Sequence, residues 1–215
     1  MTEFSIENSH SAGYWDERYA GEESVWSGDP NQRLVEQSRH LPAGSALDIG
    51  CGEGGDAVWL ARRGWTVLAV DVSSVAVDKA RARAASTLDP DVAARITWRP
   101  ADILTWQPPP ASFDLVSMQF LHLPRAALAD AADRLADALR AGGTLLIVNH
   151  DPLDLTTTVH RPRIAELLLT ATDIAATLDP DQWRVEVAEP FPRPFPNADG
   201  HAVTIHDAVV RAVRR

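Results

Sequence analysis

A glycine-rich turn follows the first β-rich run of the chain. The run 45–49 leads directly into Gly50-Cys51-Gly52-Glu53-Gly54-Gly55, where a helical segment begins. Glycine lets the backbone turn sharply and approach a ligand closely, and the free N–H groups at a helix start face that ligand. A strand, a turn of this kind and a helix are together typical of nucleotide-binding α/β domains.

The segments around this turn alternate β-rich runs with helical stretches, which predicts a parallel sheet with crossover helices. The predicted strands are 45–49, 66–70, 95–99, 113–118, 144–149, 183–188 and 202–213. No helical segment separates the last two strands, so we expect them to pair as an antiparallel hairpin. The sequence therefore predicts an α/β fold: a doubly wound, seven-stranded, mostly parallel Rossmann-like sheet with a C-terminal antiparallel hairpin.

Predicted helices cover 55–63, from the cap Ser73 to about 85, from Pro124 to about 139, and pieces of 163–178. Gly142 and Gly143 are expected to stop the third of these helices and open strand five. The proline-rich segment 189–200, with Phe191 and Phe195, is expected to be a loop that either walls a pocket or only connects two strands. We expect a single domain over 1–215, with 1–42 as an N-terminal helical cap.

Composition excludes several classes of protein. The 215 residues carry a formal net charge of −10, which disfavours nucleic acid as a partner, and favours a small neutral or cationic substrate. Cys51 is the single cysteine, so the chain forms no intrachain disulfide and no thiolate metal cluster, and we expect no metal. The apolar runs are too short for a membrane span and Met1–Asn8 does not resemble a secretory signal, so we expect a cytoplasmic protein. Oligomeric state is open.

The glycine turn on its own leaves two cofactors open. Gly50, Gly52 and Gly55 match the dinucleotide fingerprint, and Asp71 follows about twenty residues later, where a carboxylate accepts hydrogen bonds from ribose hydroxyls. Both nicotinamide dinucleotides and S-adenosylmethionine contain such a ribose. Asp48 would repel a pyrophosphate and attract the ammonium and sulfonium groups of adenosylmethionine, so it favours the second cofactor.

Further motifs point the same way. The segment Ala101-Asp102-Ile103 offers a carboxylate to an adenine amine and an apolar side chain to its ring. Over about residues 44–150, the chain resembles class I methyltransferases in the ordered motifs Asp48-Ile49-Gly50-Cys51-Gly52-Glu53-Gly54, Asp71, Ala101-Asp102 and Leu139-Arg140-Ala141-Gly142-Gly143. The segment Tyr14–Tyr19 and Trp26 with Pro30-Asn31 resemble the small-molecule branch that includes tellurite-resistance and thiopurine methyltransferases.

The resemblance implies S-adenosylmethionine as the cofactor. The residues implied in its binding are, from the methionine moiety through the ribose to adenine, Asp48, Gly50, Cys51, Gly52, Gln119, Asp71, Val72, Asp102 and Ile103. Trp26, with Tyr14 and Tyr19, either closes over the cofactor and excludes water or serves the packing of the cap.

We expect the acceptor to be a small molecule with a thiol, amine, hydroxyl or chalcogen nucleophile. His122 and His150 follow strands four and five and are the candidates for a general base, although either could serve only local structure. Two alternatives stay open. An NAD-dependent oxidoreductase would lack a Tyr-x-x-x-Lys pair here, because both tyrosines precede residue 20. A non-catalytic adenosylmethionine-binding regulator would lack a substrate-sized cavity beside the sulfonium.

Overall fold

The computed structural model describes residues 5–6, 8–21, 23–157, 159, 164–197 and 199–215. At its centre lies a seven-stranded sheet with the strand order β3-β2-β1-β4-β5-β7-β6. The strands are β1 (Ser45–Ile49), β2 (Thr66–Asp71), β3 (Ile96–Pro100), β4 (Phe113–Gln119), β5 (Leu139–His150), β6 (Trp183–Pro196) and β7 (Ala202–Arg214). Only β7 among these runs antiparallel to its neighbours β5 and β6. The predicted mostly parallel sheet with a C-terminal antiparallel hairpin is confirmed.

The helices cover both faces of this sheet. They are α1 (Ala12–Tyr19), α2 (Gln32–Ser38), α3 (Gly55–Arg62), α4 (Ser74–Thr87), α5 (Pro90–Ala93), α6 (Arg125–Ala138) and α7 (Ala171–Ala175), with short 3₁₀ turns at Pro152–Thr156 and Ala165–Leu167. The predicted cap of α4 is confirmed, because the side chain of Ser73 accepts a hydrogen bond from the backbone N–H of Ala76. Of the helical pieces expected over 163–178, residue 163 lies outside the described residues.

The core has two layers, one on each face of the sheet. Leu47 and Ile49 of β1 point toward the layer that contains α6 and α7, whereas Ala46 points toward the layer that contains α2 and α3. Side chains alternate across a strand, so β1 is apolar on both sides because both faces are covered. Packing on both faces holds β1 in place, and the glycine turn begins where this strand ends.

The sheet has a topological switch point between β1 and β4. From β1 the chain winds through β2 to β3 on one side, and then crosses back to β4 and β5 on the other. The carboxyl ends of these strands meet at one edge, and a crevice opens where two crossover connections leave in opposite directions. This edge is where α/β sheets of this type bind ligands.

Strand β5 begins earlier than the sequence predicts. We expected Gly142 and Gly143 to stop a helix and open the strand, but α6 ends at Ala138 and β5 already begins at Leu139. Leu139 pairs with Phe113 of β4, so the strand ladder, rather than a glycine cap, ends the helix. Gly142 has φ +80°, which lets the paired chain bend within the strand.

The predicted loop 189–200 is also wrong for most of its length, because β6 continues to Pro196. Proline lacks an N–H and is therefore tolerated on edge strands, and β6 is an edge strand here. The four prolines alternate with other residues from 190 to 196, so they share one face of the strand. The residues between them, Phe191, Arg193 and Phe195, are half-buried on the other face.

The N-terminal segment packs onto the helical layer through a charged contact. The carboxylate of Asp16 on α1 accepts hydrogen bonds from the Ser73 hydroxyl at 2.6 Å and from the Val75 backbone N–H at 3.2 Å. An acid at the start of a helix stabilises it, because the helix N-terminus carries partial positive charge. In the part of the chain that the structure describes, no helix has the length and apolar character needed to cross a membrane.

Candidate active site

A cavity of about 790 Å³ lies at the carboxyl ends of β1, β2, β4 and β5. Ligand sites in proteins typically have volumes of about 300–1,000 Å³, so the cavity can hold a ligand of cofactor size. The residues predicted from the sequence that line it are Trp26, Gly50, Cys51, Gly52, Asp71, Val72, Asp102, Ile103, Gln119, His122 and His150. Asp48 is the exception among the predicted residues.

The glycine turn forms the floor of the cavity. Gly50 and Gly52 have φ values of +69° and +50°, in the left-handed region that favours glycine. The backbone N–H groups of Gly50 and Cys51 both donate to the carbonyl of Val70, which ties the turn to β2. Cys51 is buried, and burial raises the pKa of its thiol, so it serves packing rather than redox chemistry.

Asp71 links the end of β2 to the glycine turn. One carboxylate oxygen accepts from the N–H of Gly52 at 2.8 Å, and the other accepts from the N–H of Ser73 at 2.9 Å. Burial raises the pKa of Asp71, and these backbone donors act in the opposite direction. The remaining lone pairs face a cavity that Asp71 lines, where hydroxyl groups of a ribose could donate to them.

Asp48 lies behind the turn rather than in the cavity. Its side chain is 1% exposed, and the backbone N–H of Ala57 in the first turn of α3 donates to it. Burial and the nearby carboxylates of Asp56 and Asp71 raise the pKa of Asp48 well above its ordinary range. The expected direct contact between Asp48 and a cationic cofactor therefore stays a prediction. Other carboxylates line the cavity and can attract a cation there.

Two such carboxylates, Glu53 and Asp56, were not predicted. Asp56 accepts from the N–H of Asn31 at 2.6 Å, and burial raises its pKa to about 6. Glu53 accepts from the N–H groups of Val25 and Trp26 at 2.9 and 3.1 Å. Both residues fasten the segment between α1 and α2 to the glycine turn, and their place within and just after that turn was the available signal.

Trp26 closes one side of the cavity. Its indole N–H donates to the hydroxyl of Tyr19 at 2.8 Å, and its ring lies 3.5 Å from the position that a Cβ on Gly52 would occupy. Tyr19 is buried, whereas Trp26 is 50% exposed. This half-exposed position over the cavity is compatible with the expected lid, and the lid role of Trp26 stays a prediction.

The side of the cavity where adenine is expected is formed by residues after β2 and β3. A carboxylate oxygen of Asp102 accepts from the N–H of Leu104 at 2.8 Å, which fixes the side chain in a tight turn. Ile103 is 6% exposed, and its side chain lines the cavity together with Val72. A carboxylate beside two apolar side chains is suited to a flat heterocycle with an amine.

The end of β4 carries local strain and an open acceptor. Gln119 donates to the Ser117 hydroxyl at 3.0 Å, while its side-chain carbonyl oxygen accepts no hydrogen bond from the described residues. Phe120 follows with φ +56°, a conformation that costs about 1–2 kcal/mol for a residue other than glycine. Strain of this kind clusters at functional sites, where the surrounding structure holds it.

His122 and His150 meet in the same cavity. Their rings stack with centroids 5.1 Å apart, and Phe120 packs against His150 with ring centroids 4.5 Å apart. His150 ends β5, and His122 follows β4, so the two parallel strands bring the rings together. The structure confirms the predicted location of both histidines at the ligand-binding edge, while their catalytic part stays a prediction.

A buried ion pair from the C-terminal hairpin also reaches the cavity and was missed. Asp207 is 1% exposed and accepts from Arg33 at 3.0 Å and from Arg193 at 2.9 Å. Arg193 and Phe195 line the cavity, whereas Phe191 packs with the core and under Arg33. The signal for Arg193 was the alternation of prolines, which places it on the inward face of β6.

The strand order, the switch point and this cavity define the class of the protein. A dinucleotide-binding Rossmann sheet has the strand order 3-2-1-4-5-6, whereas here the antiparallel β7 is inserted between β5 and β6. The mostly parallel sheet with its C-terminal antiparallel hairpin is the fold expected from the resemblance to class I methyltransferases, a class that uses S-adenosylmethionine as its methyl donor.

Comparison with known proteins agrees with this class. Residues 46–143 match the family model described as a methyltransferase domain. Among curated proteins, trans-aconitate 2-methyltransferase of Sinorhizobium fredii is 31% identical over 128 residues, which are 58% of this chain and 46% of that protein. The chain spans about half the length of the curated relatives it matches.

Solved structures share the fold across the whole sheet. A protein described by the conversion of a disulfide bond into a thioacetal group during echinomycin biosynthesis superposes with a TM-score of 0.76, at 23% identity, over 94% of this chain and 92% of that one. TehB from Haemophilus influenzae superposes with a TM-score of 0.67, at 15% identity, over 95% of this chain and 67% of that one. At these identities the likeness concerns the fold.

The described residues fit S-adenosylmethionine. The left-handed glycines provide a floor without side chains, the side-chain oxygen of Gln119 is available to a cationic donor, and the lining carboxylates supply negative charge. Opposite charges at close range in a partly buried site attract strongly. The ammonium and sulfonium groups of this cofactor match that charge, whereas a pyrophosphate does not.

Proposed function

We propose that this protein transfers a methyl group from S-adenosylmethionine to a small organic acceptor. The observation that carries the proposal is the continuity of one cavity, which joins the glycine turn and Asp71 to His122, His150 and Arg193. A regulator that only binds the cofactor needs no second compartment, whereas a transferase needs space for an acceptor beside the methyl group.

The cofactor half of the cavity suggests an orientation. Asp71 would accept from the ribose hydroxyls, and Asp102 from the adenine amine, with Val72 and Ile103 on the faces of the ring. The turn Gly50–Gly52 and the carbonyl oxygen of Gln119 would hold the methionine moiety near the ends of β1 and β4. In this orientation the methionine end of the cofactor, which lies opposite to adenine, is directed toward the histidines.

The chain's own part in the reaction is to position groups and exclude water. When bound, S-adenosylmethionine supplies an electrophilic methyl group on a sulfonium. The in-line displacement needs the nucleophile and the methyl aligned, and a fixed geometry of this kind contributes several kcal/mol to catalysis. Trp26, held by Tyr19, covers the site on the solvent side, which keeps the reacting atoms dry.

His122 and His150 are the proposed proton acceptors. An alcohol or a protonated amine must lose a proton as it takes the methyl group, and a histidine at the end of the cavity can receive it. A thiolate needs no such help at neutral pH. The dependence on histidine therefore differs among acceptors and reports which nucleophile the enzyme uses.

The comparisons support a small acceptor. The relative from Sinorhizobium fredii is named for its action on trans-aconitate, which is a small organic acid. TehB from Haemophilus influenzae shares the fold over 95% of this chain. We infer that nucleic acid is not the acceptor, since the chain is strongly acidic.

The test is a screen for S-adenosylhomocysteine formation with thiols, amines, phenols, carboxylic acids, tellurite and selenite. We expect turnover with one of these classes, and loss of about 100-fold or more in kcat for His122→Ala or His150→Ala when the acceptor is an alcohol or amine. Exposed His201→Ala is the control, because His201 lies outside the cavity lining. Tight binding of the cofactor with no turnover in the whole screen would instead favour a regulator.

A further inference from the structure

Charged side chains of both signs line the cavity. The carboxylates are Asp29, Glu53, Asp56, Asp71 and Asp102. Arg18 of α1, which lies over the Trp26 ring, is also in the lining. The opposite wall, formed by the C-terminal hairpin, presents the guanidinium of Arg193. A net charge of −10 suggested a neutral or cationic substrate, but this wall contributes a cationic side chain to the cavity lining.

Arg193 stands just beyond the end of β5. In the strand ladder His150 pairs with Asp207, and Asp207 pairs with Phe191, so Arg193 lies two residues further along β6. Two residues of a strand span about 7 Å, which places Arg193 beyond the level at which β5 ends, on the second strand from β5. The hairpin therefore projects over the acceptor half of the cavity.

Among the described residues, Arg193 is hydrogen-bonded through Nε alone, and its guanidinium lies over the Phe195 ring, 5.5 Å from the ring centroid. Its Nε donates to both oxygens of Asp207, at 2.9 and 3.2 Å, and within the described part of the chain its two terminal nitrogens have no hydrogen-bond partner. Arg33 differs, since its nitrogens donate to Asp207, Glu36 and the carbonyls of Phe191 and Pro192. The buried carboxylate thus orients a guanidinium that belongs to the cavity lining and leaves its two terminal nitrogens for a ligand.

We propose that Arg193 binds a carboxylate of the methyl acceptor, so that the substrate is a small organic acid whose nucleophilic atom lies elsewhere in the molecule. A guanidinium fork matches a carboxylate with two parallel hydrogen bonds, which gives both affinity and orientation. The side chains of Phe195, Leu167 and Leu168 also line this wall and would contact the carbon skeleton. The methyl group moves from the sulfonium sulfur to the nucleophile, which leaves S-adenosylhomocysteine. Where the nucleophile carries a proton, that proton moves to a histidine.

This inference rests on the proposed function, and binding measurements separate the two. The protein saturated with S-adenosylhomocysteine is titrated calorimetrically with para-mercaptobenzoate and para-mercaptobenzamide, and with the matching hydroxy pair. We expect each acid to bind at least about tenfold more tightly than its amide, because only the acid has a negative charge that pairs with the guanidinium of Arg193. Methyl transfer to the same compounds is followed in parallel by S-adenosylhomocysteine formation from S-adenosylmethionine.

The variant Arg193→Gln should abolish the preference for the acid while amide binding changes by less than about threefold. Arg184→Gln is the matched control, because Arg184 lies on the same strand, is exposed and pairs with Glu186 outside the cavity lining. Since Arg193→Gln leaves Asp207 with Arg33 alone, Arg193→Lys is measured as well, with thermal unfolding of each variant, and should retain part of the preference.

Equal affinity for acid and amide in every pair, including no measurable binding of either, would overturn the proposal. The same preference in Arg193→Gln as in the unaltered protein would overturn it too. Turnover of neutral acceptors with no effect of Arg193 would leave the methyltransferase function standing without this anchor. Cofactor binding without any turnover, together with an Arg193-dependent preference for acids, would contradict the proposed methyltransferase function and leave the binding role of Arg193 standing.

Discussion

The carboxylate of Asp71 accepts a hydrogen bond from the backbone N–H of Gly52 at 2.8 Å. This bond joins the end of one strand to the turn that follows its neighbour, and it sets the position of the glycine turn relative to the ribose site. A second bond from Ser73 fixes the other carboxylate oxygen at the start of α4. One side chain therefore organises the floor of the cavity and presents its charge to a ligand.

Asp71→Asn is expected to weaken S-adenosylmethionine binding by about tenfold or more, because an amide loses the charge-assisted acceptor and cannot accept at both oxygens. Calorimetric titration measures the change. Asp78→Asn is the control, since Asp78 is exposed and pairs with Arg81 on the outer surface of α4. Equal losses in both variants would show that Asp71 has no special part in binding.

Trp26→Ala is expected to raise the dissociation constant for S-adenosylmethionine by about threefold to tenfold, which corresponds to the loss of one aromatic contact. Trp26→Phe keeps an aromatic ring and loses only the hydrogen bond to Tyr19, so its effect should be smaller. Both constants follow from the same titration. A larger effect for Phe than for Ala would contradict the lid role of the ring.

The stability of the free protein is expected to fall as pH rises from about 4 to 7, through Asp56 in particular. Burial raises the pKa of Asp56 to about 6 from an ordinary value of 3.8. The folded state thus keeps a proton that the unfolded chain releases, so this contribution to stability is present below pH 3.8 and lost as pH rises through about 6. The pKa of Asp48 and that of Asp71 are raised in the same direction.

Thermal unfolding across this pH range tests the sign. Asp56→Asn should flatten the fall in Tm relative to the unaltered protein, while Asp78→Asn should leave it unchanged. The cationic cofactor favours the ionised carboxylates, so its stabilising effect should grow with pH over the same window. Identical pH profiles for Asp56→Asn and the unaltered protein would contradict the assignment.

Two glycine substitutions separate backbone strain from steric clash. Gly142→Ala should cost about 1 kcal/mol of unfolding free energy, because φ is +80° and a Cβ there meets nothing within 4 Å. Gly54→Ala carries the same strain at φ +84°, and its Cβ would come within 2.5 Å of the Trp98 ring. Denaturant unfolding should show a further loss of about 1–3 kcal/mol for Gly54→Ala, and similar losses for both variants would contradict the packing.

Local sequence patterns predicted most of the fold. The β-rich runs, the glycine turn and the cap at Ser73 are signals within a few residues, and each strand from β1 to β5 was located by them. The errors arose where pairing overrides local preference. Strand β5 begins at Leu139 because β4 provides a partner for it, and β6 passes through four prolines because its outer edge needs no donors.

The cofactor half of the site was predictable in the same way, since Asp71 and Gln119 are the last residues of β2 and β4 and Asp102 follows the end of β3. The sequence did not predict how deeply each side chain is buried. Asp48 ends beneath α3 rather than in the cavity, because the sequence does not state on which side of the turn its carboxylate lies. The guanidinium of Arg193 reaches the cavity through contacts with Asp207 and the hairpin, which join residues far apart in the chain.

The central claim is that this cavity binds S-adenosylmethionine for methyl transfer, and calorimetric titration tests it most directly. The protein is titrated with S-adenosylmethionine, S-adenosylhomocysteine and NAD under identical conditions. We expect one molecule of either adenosyl compound to bind per chain, with binding weakened in Asp71→Asn, and no binding of NAD. Tight binding of NAD together with no binding of S-adenosylmethionine or S-adenosylhomocysteine would contradict the claim.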